Sequence, residues 1–453
     1  MNTSHAKRCF SAHCWAPLCL AIGVAGATLG SAPASAAFLV TGDPALYWSS
    51  LVSTTIAAPP PLAARSMTMA QIAIYEAANL TTGKANSSYL GLNAQTGDTR
   101  AAIAVAARNV LVAVNPAQTV LYDNALTASL ALIPDSQAKT DGIAAGNAIA
   151  MAVIANRLND GANVVVPYTP QAPGTPGAWQ PTPPAFAAPI GPQLPNVTPW
   201  MMTSVDQFLA PPPPALDSAG YATAFNEVKS LGAFASAART ADQTNSAVVW
   251  ASTAGGATWQ NVALELAQAN GMSTTDAALM LATLALANAD TFISVWDSKY
   301  HYNFWRPYTA IRNGDIDGNG ATDIDATWAS RINNPAYPSH SSGLGGAGGS
   351  AATILAAFFG ENTNYCITGT AGQRCFTSFW AGAQDGADSR IYGGIHFRFE
   401  TEASLAQGRS VANLVLSKSL APVPEPSTWS ILILGFGLLG AGMRSKRTAL
   451  KPA

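Results

Sequence analysis

The sequence predicts an all-α protein, and two observations lead to that fold class. Apolar side chains, many of them alanine, recur between residues 64 and 416 with the three- to four-residue spacing of one helix face. The chain contains no sustained run in which Val, Ile or Thr alternates with polar residues, the pattern typical of a half-buried strand. With 453 residues, of which 49% are hydrophobic and 11% are charged, it can bury a large core.

Eight segments carry the helical spacing most clearly. They are 64–80, 101–114, 141–159, 221–231, 261–269, 275–305, 343–359 and 400–416. Residues 167–214 are too rich in Pro and Gly for a helix, so they predict a long ordered loop that crosses the surface and could separate two helical bundles. The formal net charge of -2 leaves no basic excess to neutralise phosphates, which argues against a nucleic-acid partner.

The first residues have the pattern of an export signal. Lys7 and Arg8 precede an apolar run over 16–29, and small residues at 34–36 fit a signal-peptidase site. We therefore expect residues 1–36 to be a secretory signal peptide. A buried N-terminal helix is the alternative, and prolines within and after the apolar run disfavour it.

The predicted export also determines which cysteines remain in the mature chain and whether they can form a disulfide. Three of the five lie in the predicted signal, which leaves Cys366 and Cys375 in the mature chain. In an oxidising compartment the intervening Gly369 and Gly372 would let the chain turn back, which favours a disulfide over two free thiols. Neither cysteine is expected to be catalytic.

The C-terminal residues 421–447 form a second targeting pattern. Pro424, Glu425 and Pro426 precede an apolar stretch at 429–443, which is shorter than the ~20 residues of a comfortable membrane span and ends in basic residues. This tail resembles the PEP-CTERM sorting signal. The resemblance implies transient inner-membrane anchoring, removal by an exosortase-type enzyme, and a cell-envelope or extracellular-matrix destination. The alternative is a simple C-terminal membrane anchor.

Cations lie at the end of the longest predicted helix. Lys299 and Arg306 are seven residues apart, a spacing that would put them on one face two turns apart, and Pro307 would then end the helix. Large aromatic neighbours such as Trp296 and Trp305 predict that this face is half buried. Buried cations need an anion.

Two further motifs suit an anion. Ser339, His340 and Ser341 lie just before the Gly-rich start of the predicted helix 343–359, where unpaired backbone N–H groups favour negative charge. Later, Arg390 and His396 are six residues apart, which is not a same-face helical spacing, so they are expected to approach one centre from different directions.

The three motifs, in this order, resemble the signature shared by the vanadium haloperoxidases and the type 2 phosphatidic acid phosphatase superfamily. They have the form Lys-x6-Arg-Pro, Pro-Ser-x-x and Ser-Arg-x5-His. Flanking words at 65–79, 177–186 and 303–307 also fit bacterial vanadium haloperoxidases, so the resemblance covers roughly 64–416. It implies helical bundles of the haloperoxidase and acid phosphatase type over 37–420, with core motifs at 290–416.

The resemblance implies a site that holds vanadate. Its expected ligands are Lys299, Arg306, Ser339, the backbone N–H of residue 340, Arg390 and, bonded to vanadium, His396. As a haloperoxidase the protein would use hydrogen peroxide to oxidise a halide to hypohalous acid, which halogenates a small organic acceptor. Two alternatives stay open: an acid phosphatase with a phosphohistidine at His396, and a non-catalytic envelope or matrix protein that retains the fold.

The sequence departs from the family at one motif. Where the family has Pro-Ser-Gly-His, with the histidine as the acid–base group, this chain has His340 one place early and Ser341 at the acid–base position. Serine does not exchange protons near neutral pH, so either His340 takes that role or it contributes only its backbone N–H. Trp296 and Phe397 are candidates for the halide surroundings, and His301 for packing nearby.

The acidic segment 315–326 is similar to the start of a calcium loop. Asp315, Asp317, Asn319 and Asp323 have the spacing of early ligands, but the twelfth position, which needs a carboxylate, is Ala326. A turn-rich loop is therefore expected, and calcium is not expected as a cofactor.

Overall fold

The computed structural model describes residues 38–56, 58–253, 255–418 and 420. The predicted signal peptide and C-terminal tail lie outside the described residues. Regular structure in the described part consists of helices α1 (Pro44–Thr55), α2 (Pro60–Thr81), α3 (Thr99–Val114), α4 (Thr119–Ala131), α5 (Gln137–Arg157), α6 (Ala219–Leu231), α7 (Ala241–Ala251), α8 (Gly256–Ala269), α9 (Thr274–Tyr302), α10 (Pro307–Ile311), α11 (Gly343–Phe359), α12 (Phe379–Tyr392) and α13 (Arg398–Ser417), and strands β1 (Tyr365–Gly369) and β2 (Gly372–Phe376).

The predicted helical class is confirmed, and all eight predicted helices are present. The prediction at 343–359 coincides with α11. The longest prediction was wrong at its end, because Asn303 adopts a left-handed conformation with φ of 48° and ends α9 at Tyr302. Pro307 then begins α10 instead of ending α9, so Lys299 and Arg306 do not share a helix face.

Helix α9 is the centre of the fold. It packs against α2 on one side and against α11 and α13 on the other, so the earlier and later helices share one continuous core around it. This helix is long and apolar enough to cross a membrane, but 94% of its most apolar window is buried inside the protein, as in a core helix.

The predicted long loop is confirmed, since residues 158–218 contain only one short 3-10 turn. The loop lies along α9 and is fixed there by the buried carboxylate of Asp290. This carboxylate accepts backbone N–H bonds from Trp200, Met201 and Met202 at 2.7, 2.7 and 2.8 Å. Arg157 stacks on the Trp200 ring at 3.9 Å. The loop backbone can therefore provide fixed hydrogen-bonding groups beside α9.

Helices α11 and α13 approach each other at the level of their backbones. A Cβ atom at Gly349 would lie 2.3 Å from the carbonyl oxygen of Leu405, and one at Gly408 would lie 2.1 Å from that of Gly346. Any larger residue at these positions would push the helices apart. The N-terminal ends of the two helices are consequently close, and the Ser342 N–H donates to the Glu400 carbonyl at 3.3 Å.

A two-stranded hairpin interrupts the helices between α11 and α12. Sequence spacing did not predict it, because each strand has only five residues. Cys366 and Cys375 face each other across the strands and form the predicted disulfide. The other loop of interest, 315–326, is held by Asp317, whose carboxylate accepts the Thr322 hydroxyl at 2.9 and 2.8 Å and the Asn319 N–H at 2.9 Å. These bonds suit the expected turn-rich loop.

Candidate oxyanion site

A cleft of about 150 Å³ lies where the N-terminal ends of α11 and α13 meet the end of α12. Its walls include Trp250, Phe292, Trp296, Tyr337, Arg390 and His396. The lining thus combines aromatic rings with a guanidinium and an imidazole. The start of α11, at Ser342 and Gly343, also lines the cleft and directs its N-terminal dipole toward it. The combination suits a small oxyanion beside an apolar wall.

His396 is held as a neutral imidazole with a defined tautomer. Its Nδ1 lies 2.7 Å from the Glu400 carboxylate, so Nδ1 carries the proton and donates it. Its Nε2 lies 3.0 Å from the Arg306 guanidinium, which has only donors, so Nε2 presents a lone pair. Burial lowers the pKa of His396 well below its ordinary value, and nearby Arg306 and Lys299 lower it further.

Glu400, which the sequence prediction missed, organises this part of the site. The side chain is fully buried at the third position of α13. Its Oε2 accepts from the Ser339 hydroxyl at 2.7 Å, from His396 and from the Phe397 N–H at 3.0 Å. Burial raises the pKa of Glu400 to about 7, against the lowering effect of the Ser339 hydrogen bond and the cations. The available signal was a glutamate in the first turn of a helix, four residues after a motif histidine.

Lys299 lies beneath the loop that precedes α11. Its Nζ donates to the carbonyl oxygens of Pro338 at 3.1 Å and Ser339 at 2.9 Å, and also to that of Ser341. Burial lowers the pKa of Lys299, yet three carbonyl acceptors require the three N–H donors of an ammonium group. The residue therefore fixes the loop and supplies a positive field from behind it, and it does not line the cleft.

Arg306 connects all three motifs. Its guanidinium donates to the Tyr337 carbonyl at 3.1 and 3.0 Å, to the Ile395 carbonyl at 2.8 Å and to His396. Burial lowers the pKa of Arg306, but the ordinary pKa of arginine is so high that the group stays charged. This network compensates its burial and brings its charge beside the imidazole.

Arg390 is the cation most available to a ligand. Helix α12, which the sequence spacing did not predict, places it in the cleft wall in its last turn. Among the described residues its guanidinium has no hydrogen-bond partner, although only 8% of the residue is exposed. Burial lowers its pKa to about 10, so it remains positive near neutral pH. A partnerless buried guanidinium beside a neutral imidazole fits an oxyanion.

The two motif serines have different surroundings. Ser339 lies at the site, where its hydroxyl donates to Glu400 and is 3.4 Å from His396 Nδ1. Ser341 points elsewhere and donates to the Gln407 side chain at 2.8 Å. The structure thus keeps Ser339 beside the imidazole, whereas Ser341 packs between helices away from the cleft.

His340 does not reach the cleft, contrary to the acid–base role considered for it. Its Nε2 lies 2.8 Å from the carbonyl oxygen of Pro211 in the long loop, and its ring packs against Tyr302 and Phe399. Burial lowers its pKa to about 4. In this arrangement His340 is a neutral packing residue that ties the motif loop to the loop over α9.

The two candidates for the halide surroundings separate. Trp296 lines the cleft, and its indole N–H donates to the Ile190 carbonyl at 3.1 Å. Phe397 lies outside the cleft, fully buried in an aromatic cluster with Phe304 and Phe399. His301 is exposed at the end of α9 beside the Tyr302 ring and does not line the cleft.

The fold is mainly helical and contains a candidate oxyanion site, and comparison with known proteins shows what the chain is similar to. Residues 279–423 match the VCPO second helical-bundle domain, and 422–447 match the PEP-CTERM protein-sorting motif. A bacterial vanadium-dependent iodoperoxidase is similar over 83% of this chain and 95% of its own, with 25% identity and a TM-score of 0.72.

Two further solved structures share the fold. The holo and apo forms of a bacterial vanadium-dependent chloroperoxidase are 16% and 17% identical, with TM-scores of 0.66 and 0.67. They cover 82% and 80% of this chain and 95% of their own chains. No curated protein matches the sequence. The chain therefore has the fold of the vanadium haloperoxidases, and its sorting motif indicates export and association with the cell envelope.

Proposed function

We propose that the protein is a vanadate-dependent haloperoxidase that oxidises halide with hydrogen peroxide to hypohalous acid. The observation that carries the proposal is the neutral His396, whose unprotonated Nε2 accepts from Arg306 and which lines a cleft together with Arg390. A metal needs the lone pair of such a nitrogen, and the oxygens of vanadate need cationic donors. The similarity to a bacterial iodoperoxidase supports the same chemistry.

The residues present fit vanadate. His396 would bind vanadium, Arg390 and Arg306 would neutralise its oxygens, and Ser339 would contribute a hydroxyl. When bound, vanadate supplies a Lewis acid that activates hydrogen peroxide toward the halide. Glu400 keeps the imidazole proton on Nδ1 and thereby leaves Nε2 unprotonated, while Lys299 holds the backbone of the second motif in place. The aromatic side of the cleft, including Trp296, would exclude water from the halide and receive a small organic acceptor.

A second candidate is an acid phosphatase, which the His396–Glu400 contact of 2.7 Å also supports. A carboxylate that accepts the Nδ1 proton makes Nε2 a better nucleophile. Nε2 would form a bond to phosphorus as the bond from phosphorus to the ester oxygen breaks, and the released oxyanion would take a proton from solvent. Water would then attack phosphorus, break the N–P bond and release phosphate, giving one proton back to solvent. Arg306 and Arg390 would stabilise the phosphoryl oxygens.

The two targeting signals complete the proposal. The chain would be exported, held briefly in the inner membrane by its C-terminal apolar stretch, and released by an exosortase-type enzyme. It would then act in the envelope or extracellular matrix. A non-catalytic protein of that matrix is the third possibility, and the assay below separates it from the two enzymes.

The deciding experiment is a paired assay on the purified protein. Halogenation of a phenol dye is measured with bromide, iodide and hydrogen peroxide, with and without orthovanadate, beside hydrolysis of p-nitrophenyl phosphate. We expect vanadate-dependent halogenation that His396→Ala abolishes and that the exposed matched control, His301→Ala, retains. Phosphate release inhibited by vanadate would favour the phosphatase instead. A folded wild-type protein that is inactive in both assays would contradict both enzyme proposals.

A further inference from the structure

Hypohalous acid formation needs a proton. Hydrogen peroxide, one halide ion and one proton give one hypohalous acid and one water, so the site requires a group that delivers this proton. The histidine expected for the task is replaced by Ser341, which points toward Gln407, and His340 packs among aromatic rings against the Pro211 carbonyl. Neither residue lines the cleft. A side-chain donor must therefore be one of the other residues that line the cleft.

Three titratable side chains line the cleft among the described residues: Tyr337, Arg390 and His396. His396 has no proton on Nε2, and its Nδ1 proton is donated to Glu400. Arg390 does not release a proton near neutral pH. The phenol of Tyr337 is the remaining proton donor.

Tyr337 is firmly positioned. Its backbone carbonyl accepts two bonds from Arg306, and its ring packs on Trp296 with 4.8 Å between centroids. The Lys299 ammonium and the Arg306 guanidinium each lie 5.0 Å from the centre of the ring. The same cations that define the anion site therefore hold the tyrosine against it.

The hydroxyl of Tyr337 is available for chemistry. It has no hydrogen-bond partner among the described residues, and it interacts electrostatically with the guanidinium groups of Arg306 and Arg390. Burial raises its pKa, whereas the two arginines lower it. The group is thus a neutral phenol near neutral pH, and a developing phenolate would face two positive charges.

We propose that Tyr337 is the proton donor of this site and occupies the functional place of the histidine missing at position 341. This inference rests on the proposed function. The phenol O–H bond breaks as an O–H bond forms on the peroxide oxygen that leaves as water, and solvent then returns a proton to the phenolate. Before that step the same hydroxyl donates a hydrogen bond to the bound oxyanion.

The test compares Tyr337→Phe with the wild type and with Tyr300→Phe. Tyr300 is a neighbouring tyrosine, but its hydroxyl donates to the Ile190 carbonyl at 2.8 Å. We expect Tyr337→Phe to lower kcat for halogenation about 100-fold and to weaken orthovanadate binding about tenfold. Binding is followed by calorimetry without peroxide or halide, and circular dichroism checks that each variant is folded.

Each result decides a separate question. Suppose that the wild type halogenates and that Tyr337→Phe has the same halogenation rate and the same orthovanadate affinity. That result would overturn this inference and leave the haloperoxidase proposal intact. If the wild type binds orthovanadate but does not halogenate, the proposed function fails. In that case, an orthovanadate affinity of Tyr337→Phe equal to that of the wild type would also overturn the role of the hydroxyl. An equal loss in Tyr300→Phe would also overturn it, because that loss would reflect packing alone.

Discussion

The regions around His340 and His396 differ although both histidines are buried and burial lowers both pKa values. His396 lies in a polar network, with Glu400 on one nitrogen and Arg306 on the other. His340 lies among aromatic rings, and its one partner is the backbone carbonyl of Pro211. Burial makes each ring neutral, but only His396 has a polar partner on both nitrogens and also lines the cleft. A motif histidine is therefore functional through its neighbours rather than through its position in the sequence.

The largest effect is expected for Glu400→Gln. The amide oxygen can still accept a bond, but the charge that fixes the His396 tautomer is lost. We expect orthovanadate affinity to fall about 10- to 100-fold, as is usual when the carboxylate partner of a metal-binding histidine is removed. Glu402→Gln is the matched control, because Glu402 is exposed on the same helix. Unchanged affinity in Glu400→Gln would mean that His396 does not depend on its polar network.

A smaller effect on function, but a clear one on stability, is expected for His340→Phe. The pKa of His340 falls to about 4 from an ordinary 6.5. A depressed pKa gives stability that is present above pH 6.5 and is lost as the pH falls through 4, because the unfolded chain takes up the proton first. The variant should not show this pH-dependent loss in the free energy of unfolding, which is on the order of 3 kcal/mol in the wild type. Urea unfolding between pH 4 and 7 measures it.

The same variant also tests whether His340 contributes to the site. We expect His340→Phe to keep orthovanadate affinity and halogenation within about threefold, a change of under 1 kcal/mol. A loss as large as that of His396→Ala, in a folded variant, would return His340 to the acid–base role and contradict its assignment as a packing residue.

The smallest effect is expected for Ser341→Ala. Its hydroxyl bonds the Gln407 side chain, so its loss leaves a buried amide oxygen with one donor fewer. We expect a destabilisation of about 1–2 kcal/mol with unchanged orthovanadate affinity. Thermal unfolding and calorimetry measure the two quantities. A variant of normal stability that no longer binds orthovanadate would show that Ser341 contributes directly to the site.

Much of the fold could be predicted from the sequence because its core helices are strongly periodic, as α11 illustrates. The helix that carries Arg390 was missed because α12 contains Gly382 and Gly386, which weaken helical propensity. Hairpin strands β1 and β2 are too short to show alternation. These elements depend on tertiary packing, which local spacing does not report.

Prediction of the site was similarly divided. The motifs located Lys299, Arg306, Ser339, Arg390 and His396 in one region, as the structure places them. The separate roles of these residues were not predictable. Asn303 ends α9 between Lys299 and Arg306, and both side chains donate hydrogen bonds to backbone carbonyls. Glu400 and Tyr337 were missed because their importance comes from contacts with residues distant in sequence.

The close backbone contact of α11 and α13 has a consequence for how such a site can diversify. Ser342 begins one helix and Glu400 lies in the first turn of the other, so the distance between two motifs is set by interior glycines such as Gly349 and Gly408. A change at these glycines would alter the packing of α11 against α13 and the site together. The cleft wall, by contrast, can exchange one aromatic ring for another without moving these helices. New substrate preferences would therefore arise by changes on that wall, while the glycine-lined interior stays fixed.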